Sequence, residues 1–502
     1  MTAMSPAELE RFRAALGRRA GLQFDDSKLA MLAELMTRRA AALQLSPASY
    51  LERLDDVADP RELRAIAVEL TTPETYFYRN TEQFRAFAEV VLPQRMQARA
   101  SDKALRILSA GCASGEEPYS IAMVVRESIG DPTWSVSIRG VDINVAMLEK
   151  AARGRYTAWA LREASAETQQ RWFTRDGREL VLDDRITRSV TFEERNLSVD
   201  DPELWAPESY DAVFCRNVIM YFTPEAMTAV IARITRALVP GGFLFLGHAE
   251  TLRGLSNDFH LHHTHQTFYY QRKDDQAAVA SPTVSVHSTA ATMAVPVPDT
   301  NWAASWVETV QRAAERIHAL SSPVQSSAKT AQPIPRFDLR DALELMGQER
   351  FSEALLRLGE LPPAAAADRD VLLLRAVLLT HSGRLPEAEQ ACNELVHLDE
   401  LNAGAHYVLA LCKEGSGDRR GAIDHDQVAI YLDQGFAMPH LHLGLMARRA
   451  GELDTARREL GQALMLLQRE EPSRLLMFGG GFGRDALISL CRAELIAAGG
   501  RL

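Results

Sequence analysis

The sequence predicts a multidomain chain: a small helical module, a doubly wound α/β domain and a helical repeat solenoid. Three observations carry this. From about residue 71 to 272, short apolar strand runs alternate with helical patterns. Further on, Gly383, Gly417 and Gly451 recur at an interval of 34 residues. Between the two, residues 274–335 are dominated by Ala, Ser, Thr, Val and Pro, as in a flexible linker that cannot bury a core.

The 502 residues suffice for roughly three domains of ordinary size. An apolar share of 46% and a charged share of 25% are those of a water-soluble globular chain. The formal charge of −11 argues against non-specific nucleic-acid binding, whose affinity comes mostly from Lys and Arg neutralising phosphates. Cys112, Cys215, Cys392, Cys412 and Cys491 show no metal-ligand spacing and no disulfide framework, which fits a reducing cytoplasm. No apolar signal core opens the chain, and no stretch approaches the roughly 18 apolar residues of a membrane span. Membrane association would therefore run through a partner.

Residues 1–70 read as helices, with Leu29, Leu32, Leu35 and Met36 on one face and Arg38 and Arg39 near a C-terminal end. Residues 1–50 carry seven Lys and Arg against five acids, a small excess that reads as a solvated face.

Residues 71–273 form the α/β domain. Residues 105–110 are a buried strand, and the loop GCASGEEPYS at 111–120 follows it into a helix with Pro118 at its first position. The loop lies at a strand's carboxyl end, where open α/β sheets bind ligands. It is a poor phosphate cradle, because Glu116 and Glu117 repel an anion at the helix start, so a neutral or cationic ligand is expected. SIRGVD, AVFCRN and GGFLFLGH supply further strands, with a helix from about Pro224.

His260, His262, His263 and His265 in HLHHTHQTFYY raise metal ligation, but their apolar and aromatic neighbours read better as a closing strand, and no metal is expected. Within the linker, Trp302, Trp306, Val310, Ala313 and Ile317 fit a short amphipathic helix over 301–320.

Residues 336–502 form the repeat domain. Ala388, Ala422 and Ala456, and also Ala376, Ala410 and Gly444, keep the phase of the glycines, which matches the tetratricopeptide repeat. MGQERFSEA is a degenerate earlier unit, and Leu372, His406 and His440 replace the aromatic expected early in the repeat.

Asp142 ends the second strand, where an acid accepts the hydroxyls of a ribose. The pyrophosphate fingerprint GxGxxG is absent, so a dinucleotide is disfavoured. A nucleoside held without phosphate beside acids points to S-adenosylmethionine, whose sulfonium and amino group are positive.

These residues resemble the CheR-type chemoreceptor methyltransferases, which methylate receptor glutamates, over about residues 8–272. The motifs are TTPETYFYR at 71–79, GCASGEEPYS at 111–120, VDINVAMLEKAARGRY at 141–156, RNLS at 195–198, YDAVFCRNVIMYF at 210–222 and PGGFLFLGHAE at 240–250. The resemblance implies a Rossmann-like S-adenosylmethionine-dependent fold. Its cofactor contacts fall on Thr75, Arg79, Glu117, Asp142, Asn196, Leu197, Arg216 and Asn217. Pro73, where the family often has Asn, is carried over as a backbone contact, and Tyr221 matches the active-site tyrosine. It also implies a small β insert at about 171–190, read as a short hairpin around Asp176 and Gly177, with a turn shorter than in members that grip a receptor tail peptide. The repeat fusion and the tail LLMFGGGFGRDALISLC most resemble the branch serving the Wsp surface-sensing system.

A receptor glutamate, with an unperturbed pKa of about 4.3, is already an anion at neutral pH, so catalysis rests on placement more than on a general base. Arg79 and Tyr221 are the expected catalytic pair. Arg79 would hold a carboxylate of the cofactor or of the substrate, and Tyr221 would orient the nucleophile. The expected partner is the cytoplasmic domain of a methyl-accepting chemoreceptor. The repeats would take a further protein or peptide and, through the linker, raise its local concentration. A small-molecule methyltransferase and a non-catalytic repeat scaffold are the alternatives.

Overall fold

In the computed structural model, residues 5–56, 60–70, 74–274 and 338–500 are described; Pro73, all but the first residue of the linker and the helix expected over 301–320 lie outside them. The chain divides into two compact units, Met1–Ser281 and Pro282–Leu502. Among the described residues, no helix is long and apolar enough to cross a membrane. All five cysteines are buried and unbonded.

The first unit begins with helices Pro6–Ala20, Leu29–Ala42, Pro47–Asp56 and Pro60–Leu70. Ser5 and Glu8 form a reciprocal capping box at the first of them, as the spacing Ser-Pro-Ala-Glu allows. Phe12, Leu16, Leu32, Leu35, Met36, Tyr50 and Ile66 form its core. The basic residues are largely paired: Arg11 and Arg18 with Asp55, Arg38 with Glu69, and Arg39 with the buried Glu62, which also accepts the Tyr50 hydroxyl at 2.7 Å.

The strands are β1 (Ala104–Ala110), β2 (Ser135–Asp142), β3 (Arg155–Tyr156), β4 (Phe173–Asp176), β5 (Glu179–Leu182), β6 (Val190–Glu194), β7 (Tyr210–Cys215), β8 (Leu238–Leu246), β9 (Phe259–Thr264) and β10 (Thr267–Arg272). Seven of them form one sheet in the order β6-β2-β1-β7-β8-β10-β9. The first five in that order run parallel, and β10 and β9 add antiparallel pairings. Chain order reverses between β1 and β7, which opens a crevice at their carboxyl ends. Stacked and edge-on rings of Phe84, Phe87, Phe214, Phe245 and Tyr269 fill one side of the sheet.

The expected closing strand is a hairpin, β9 and β10, turning at His265 and Gln266, both with positive φ. A single apolar-aromatic run hides such a turn because neither residue is Gly or Asn. His262 stacks on Tyr269 and His263 on Phe268. Among the described residues no cluster of His, Cys, Asp or Glu is arranged for a metal. The insert is three-stranded, β3-β5-β4, with Gly177 at φ +63° in its tight turn. Its third strand, two residues long, is too short to leave a periodic pattern.

In the second unit, the helix pairs Arg369–His381 with Leu385–Leu398, Ala403–Gly415 with Arg419–Leu432, and Ala437–Arg449 with Leu453–Leu467 are the 34-residue units. Gly383, Gly417 and Gly451 take φ of 71°, 84° and 78° in the turn inside each pair. One period earlier, between Arg340–Gly347 and Phe351–Gly359, Glu349 adopts the same left-handed turn at φ 59°. Ala354, Ala388, Ala422 and Ala456 are fully buried, and a Cβ on Gly444 would meet Leu460 at 2.7 Å, so close helix packing selects the small residues.

Polar groups replace the expected aromatics: His406 bonds His425 and the Glu400 carbonyl, and His440 bonds Glu459. Nearby, the buried His442 bridges Asp426 at 2.7 Å and Glu414 at 2.8 Å. Burial pulls its pKa down, but the two carboxylates outweigh burial and push it up to about 10. The face built from the first helix of each pair holds the chain's own helix Pro472–Phe478 and the glycine turn after it. Phe478 packs on Tyr407 and Phe436, over the missing side chain of Gly404.

Candidate active site

The apolar run of β1 delivers the chain to Gly111, whose φ is 78° and where a Cβ would strike Val218 at 2.4 Å. Gly111 and Cys112 donate their N–H groups to the Val141 carbonyl, fixing the loop to β2. Gly115, also left-handed, caps the helix Glu116–Ser128. That helix starts two residues before Pro118, so proline sits third rather than first; its missing N–H is harmless there because the first turn has no intrahelical acceptors.

The two loop acids part company. Glu116 turns into the interior onto the Ser114 hydroxyl, and only Glu117 lines the pocket, so the ligand meets one acid here rather than the expected pair. Glu117 accepts from Ser109 Oγ at 2.7 Å and from Arg216 Nη1 at 3.2 Å. Burial pushes its carboxyl up while Arg216 and Ser109 pull it back.

Asp142, at the end of β2, is buried. Its two oxygens accept the N–H groups of Asn144 and Ala113, each at 2.8 Å. Each oxygen keeps a further lone pair, so the carboxylate is held rigidly with capacity to accept two hydroxyls. Burial holds its pKa above the ordinary range against those backbone bonds.

Asn196 Oδ1 accepts Ser198 N–H and Oγ, leaving its amide N–H groups uncommitted by that turn, and the buried Leu197 lies beside it. After β7, Arg216 is buried, with Nη2 bonded to the Arg79 carbonyl and to Asn80 Oδ1. Burial lowers its pKa and Glu117 opposes that. Asn217 sits at φ 57°, and its Oδ1 is buried without a protein partner. Arg79 donates to the Glu74 carbonyl at 2.7 Å and forms no ion pair with a carboxylate among the described residues. Tyr221, in the short turn Ile219–Tyr221, is 50% exposed.

One pocket gathers Thr75, Arg79, Glu117, Asp142, Asn196, Leu197, Arg216, Asn217 and Tyr221. Every expected site residue within the described residues therefore lines it.

Two contributions escaped the sequence reading. Glu250, buried just past β8, accepts the N–H groups of Gly247, Asn217, Val218 and Met220 and so shapes the loop that presents Asn217 and Tyr221. Burial raises its pKa against those bonds. Its signal was present as the last acid of PGGFLFLGHAE. The other is the N-terminal module. Gly21 ends its first helix at φ 70°, and its carbonyl accepts Thr223 N–H while Gln23 N–H donates to the Tyr221 carbonyl. Ala20, Leu22 and Phe24 thereby line the pocket.

A seven-stranded sheet with a ribose-capable acid after β2, no phosphate fingerprint and an acid-lined crevice defines a methyltransferase that uses S-adenosylmethionine. The sequence comparisons agree: residues 73–268 match the CheR methyltransferase SAM-binding domain. The chemotaxis protein methyltransferase of Vibrio parahaemolyticus is 34% identical over 281 residues, 54% of this chain and 100% of that protein. The probable biofilm formation methyltransferase WspC of Pseudomonas aeruginosa is 28% identical over 417 residues, 82% of this chain and 96% of that protein. The chain belongs to the CheR methyltransferase family. Among solved structures, MamA shares 22% identity over 32% of this chain and 89% of its own, with a TM-score of 0.23.

Proposed function

We propose that the protein methylates glutamate side chains of a methyl-accepting chemoreceptor, forming glutamate methyl esters, and that the pocket residues act as follows. The carrying observation is the lining of one pocket by a rigid, buried acid, Asp142, together with the half-exposed Tyr221 and with Arg79, which has no carboxylate partner among the described residues. The donor set fits S-adenosylmethionine: Asp142 accepts the ribose hydroxyls, and Glu117 with the orphaned Asn217 Oδ1 faces a cationic ligand.

When bound, S-adenosylmethionine supplies a methyl group on a sulfonium. With Asp142, Glu117 and Asn217 holding that donor, a substrate carboxylate oxygen would take the methyl carbon while the electron pair of the broken carbon–sulfur bond would stay on sulfur. No proton would be transferred, and the sulfonium and carboxylate would become a neutral thioether and a neutral ester. Apolar walls from Leu22, Phe24 and Leu197 exclude water, which favours a step that loses charge. Arg79 holds a carboxylate by charge-assisted bonds, and Tyr221 orients the attacking oxygen through its hydroxyl. Arg216 ties the 79–80 segment to Glu117, keeping both sides of the mouth in register.

Purified protein given labelled S-adenosylmethionine and receptor-rich membranes tests this. Protein-bound label released as methanol by mild base supports it. Label that resists base, or that enters small molecules instead, rejects it.

A further inference from the structure

Tyr76, which lines the pocket, carries two guanidinium groups on one ring. Arg162 Cζ lies 3.5 Å from the ring centroid and Arg79 Cζ 5.8 Å. Both are within cation–π range. Arg162 also covers the ring of Trp159 at 4.5 Å and donates Nη1 to the Trp159 carbonyl at 2.9 Å. The result is a ladder, Arg79, Tyr76, Arg162, Trp159, that runs from two residues lining the pocket to an exposed tryptophan.

The ladder stands on a rigid base. Phe77 N–H donates to the Ala160 carbonyl at 2.9 Å, joining the two chain segments that carry the four side chains. Phe77 itself is fully buried, edge-on to Tyr156 and Phe173. The turn Ala158–Leu161 is pinned by buried Ala160 and Leu161, so it presents Trp159 outward at 72% exposure. Neither Arg79 nor Arg162 forms an ion pair with a carboxylate among the described residues, whereas Arg155, on the strand just before this turn, is bound to Asp176 and Glu179.

Guanidinium groups with no carboxylate ion pair among the described residues, held on a fixed aromatic rung next to an exposed Trp, match an anionic protein segment: Arg supplies forked bonds to carboxylate and Trp supplies contact area. The two guanidinium carbons are no further apart than their two ring distances together, a limit that accommodates acids one turn apart on a helical segment, at about 5.4 Å per turn, and excludes acids two turns apart.

We infer that Arg162 and Trp159 form a specificity subsite that binds a second carboxylate on the substrate helix, about a turn from the glutamate being methylated. This rests on the protein-glutamate reading above. Arg162 pairs with the second acid, Trp159 packs on its helix, and the target carboxylate is left to Arg79 and Tyr221. The subsite selects acid-paired glutamates over isolated ones, because an isolated glutamate offers Arg162 no carboxylate.

The test uses the full chain saturated with S-adenosylhomocysteine and two fluorescent helical peptides. One carries glutamates a turn apart; the other has glutamine at the second position. Anisotropy should show the paired peptide binding the wild type about tenfold tighter, the size of one charge-assisted contact. Arg162→Glu should abolish that ratio, Arg162→Lys should keep part of it, and Trp159→Ala should weaken both peptides alike. Calorimetry should find S-adenosylhomocysteine affinity unchanged in all three. Equal binding of the two peptides by the wild type, a ratio that survives in Arg162→Glu, or a parallel loss of S-adenosylhomocysteine affinity would each overturn the inference. Failure of the methylation reading shows elsewhere, as wild-type protein that forms no base-labile ester on receptor membranes.

Discussion

Arg216 reaches across the crevice to Glu117 at 3.2 Å, with the two side chains only 2% and 14% exposed. The same guanidinium holds the Arg79 carbonyl and Asn80, so one buried cation joins the end of β7, the helix after β1 and the segment bearing Arg79.

Removing that cation alone strands a buried carboxylate. Arg216→Met should lower unfolding free energy by about 3–5 kcal/mol, whereas Arg216→Met with Glu117→Gln should recover much of the loss. Denaturant titration of the three variants reads the difference, and simple addition of the two single losses would contradict the coupling.

Asp142→Ala should weaken S-adenosylmethionine binding at least tenfold in a folded protein, because two charge-assisted acceptors at about 1.5–3 kcal/mol each are lost. Burial also raises the Asp142 pKa. The carboxylate therefore gains its proton earlier on acidification than a free aspartate at about 3.9. Wild-type affinity should begin to fall above that pH, and Asp142→Asn should flatten the dependence. Calorimetry across acidic pH measures both.

Tyr221 lines the pocket half-exposed whereas Asp142 is buried, and on the proposed roles Tyr221→Phe should lower kcat more than cofactor affinity. Equal losses in single-turnover rate and in affinity would remove its orienting role.

His442 sets a pH limit on the repeat unit. Its pKa, about 10 in the folded state, lies above the ordinary value near 6.5. A raised histidine contributes stability that is complete below about pH 6.5 and is lost as pH rises through about 10. Thermal melts between those limits should show the repeat transition falling in the wild type and staying flat in His442→Gln, which should also be less stable at neutral pH.

The sequence was most legible where one local geometry dictates one residue type. Gly383, Gly417 and Gly451 were readable because a left-handed turn excludes most side chains, and Gly111 because Val218 leaves no room for a Cβ. The same turn at Glu349 was hidden, since a non-glycine residue bears the strain without announcing it. Asp142 and Glu117 could be found from their places at strand ends, but the divergence of Glu116 and Glu117 depends on side-chain directions that spacing does not encode. Leu22 and Phe24 reach the pocket through pairing with residues two hundred positions away, and such a contact leaves no local pattern. Glu250 was likewise readable as an acid but not as the acceptor of four backbone N–H groups.

The most direct test of carboxyl methylation by this pocket is mass spectrometry of receptor peptides after incubation with the full chain and trideuteromethyl S-adenosylmethionine. The expected result is deuterated methyl esters on glutamate side chains, removed by mild base and strongly reduced with Tyr221→Phe. Label on lysine, arginine or cysteine, or transfer that Tyr221→Phe leaves unchanged, would contradict the account.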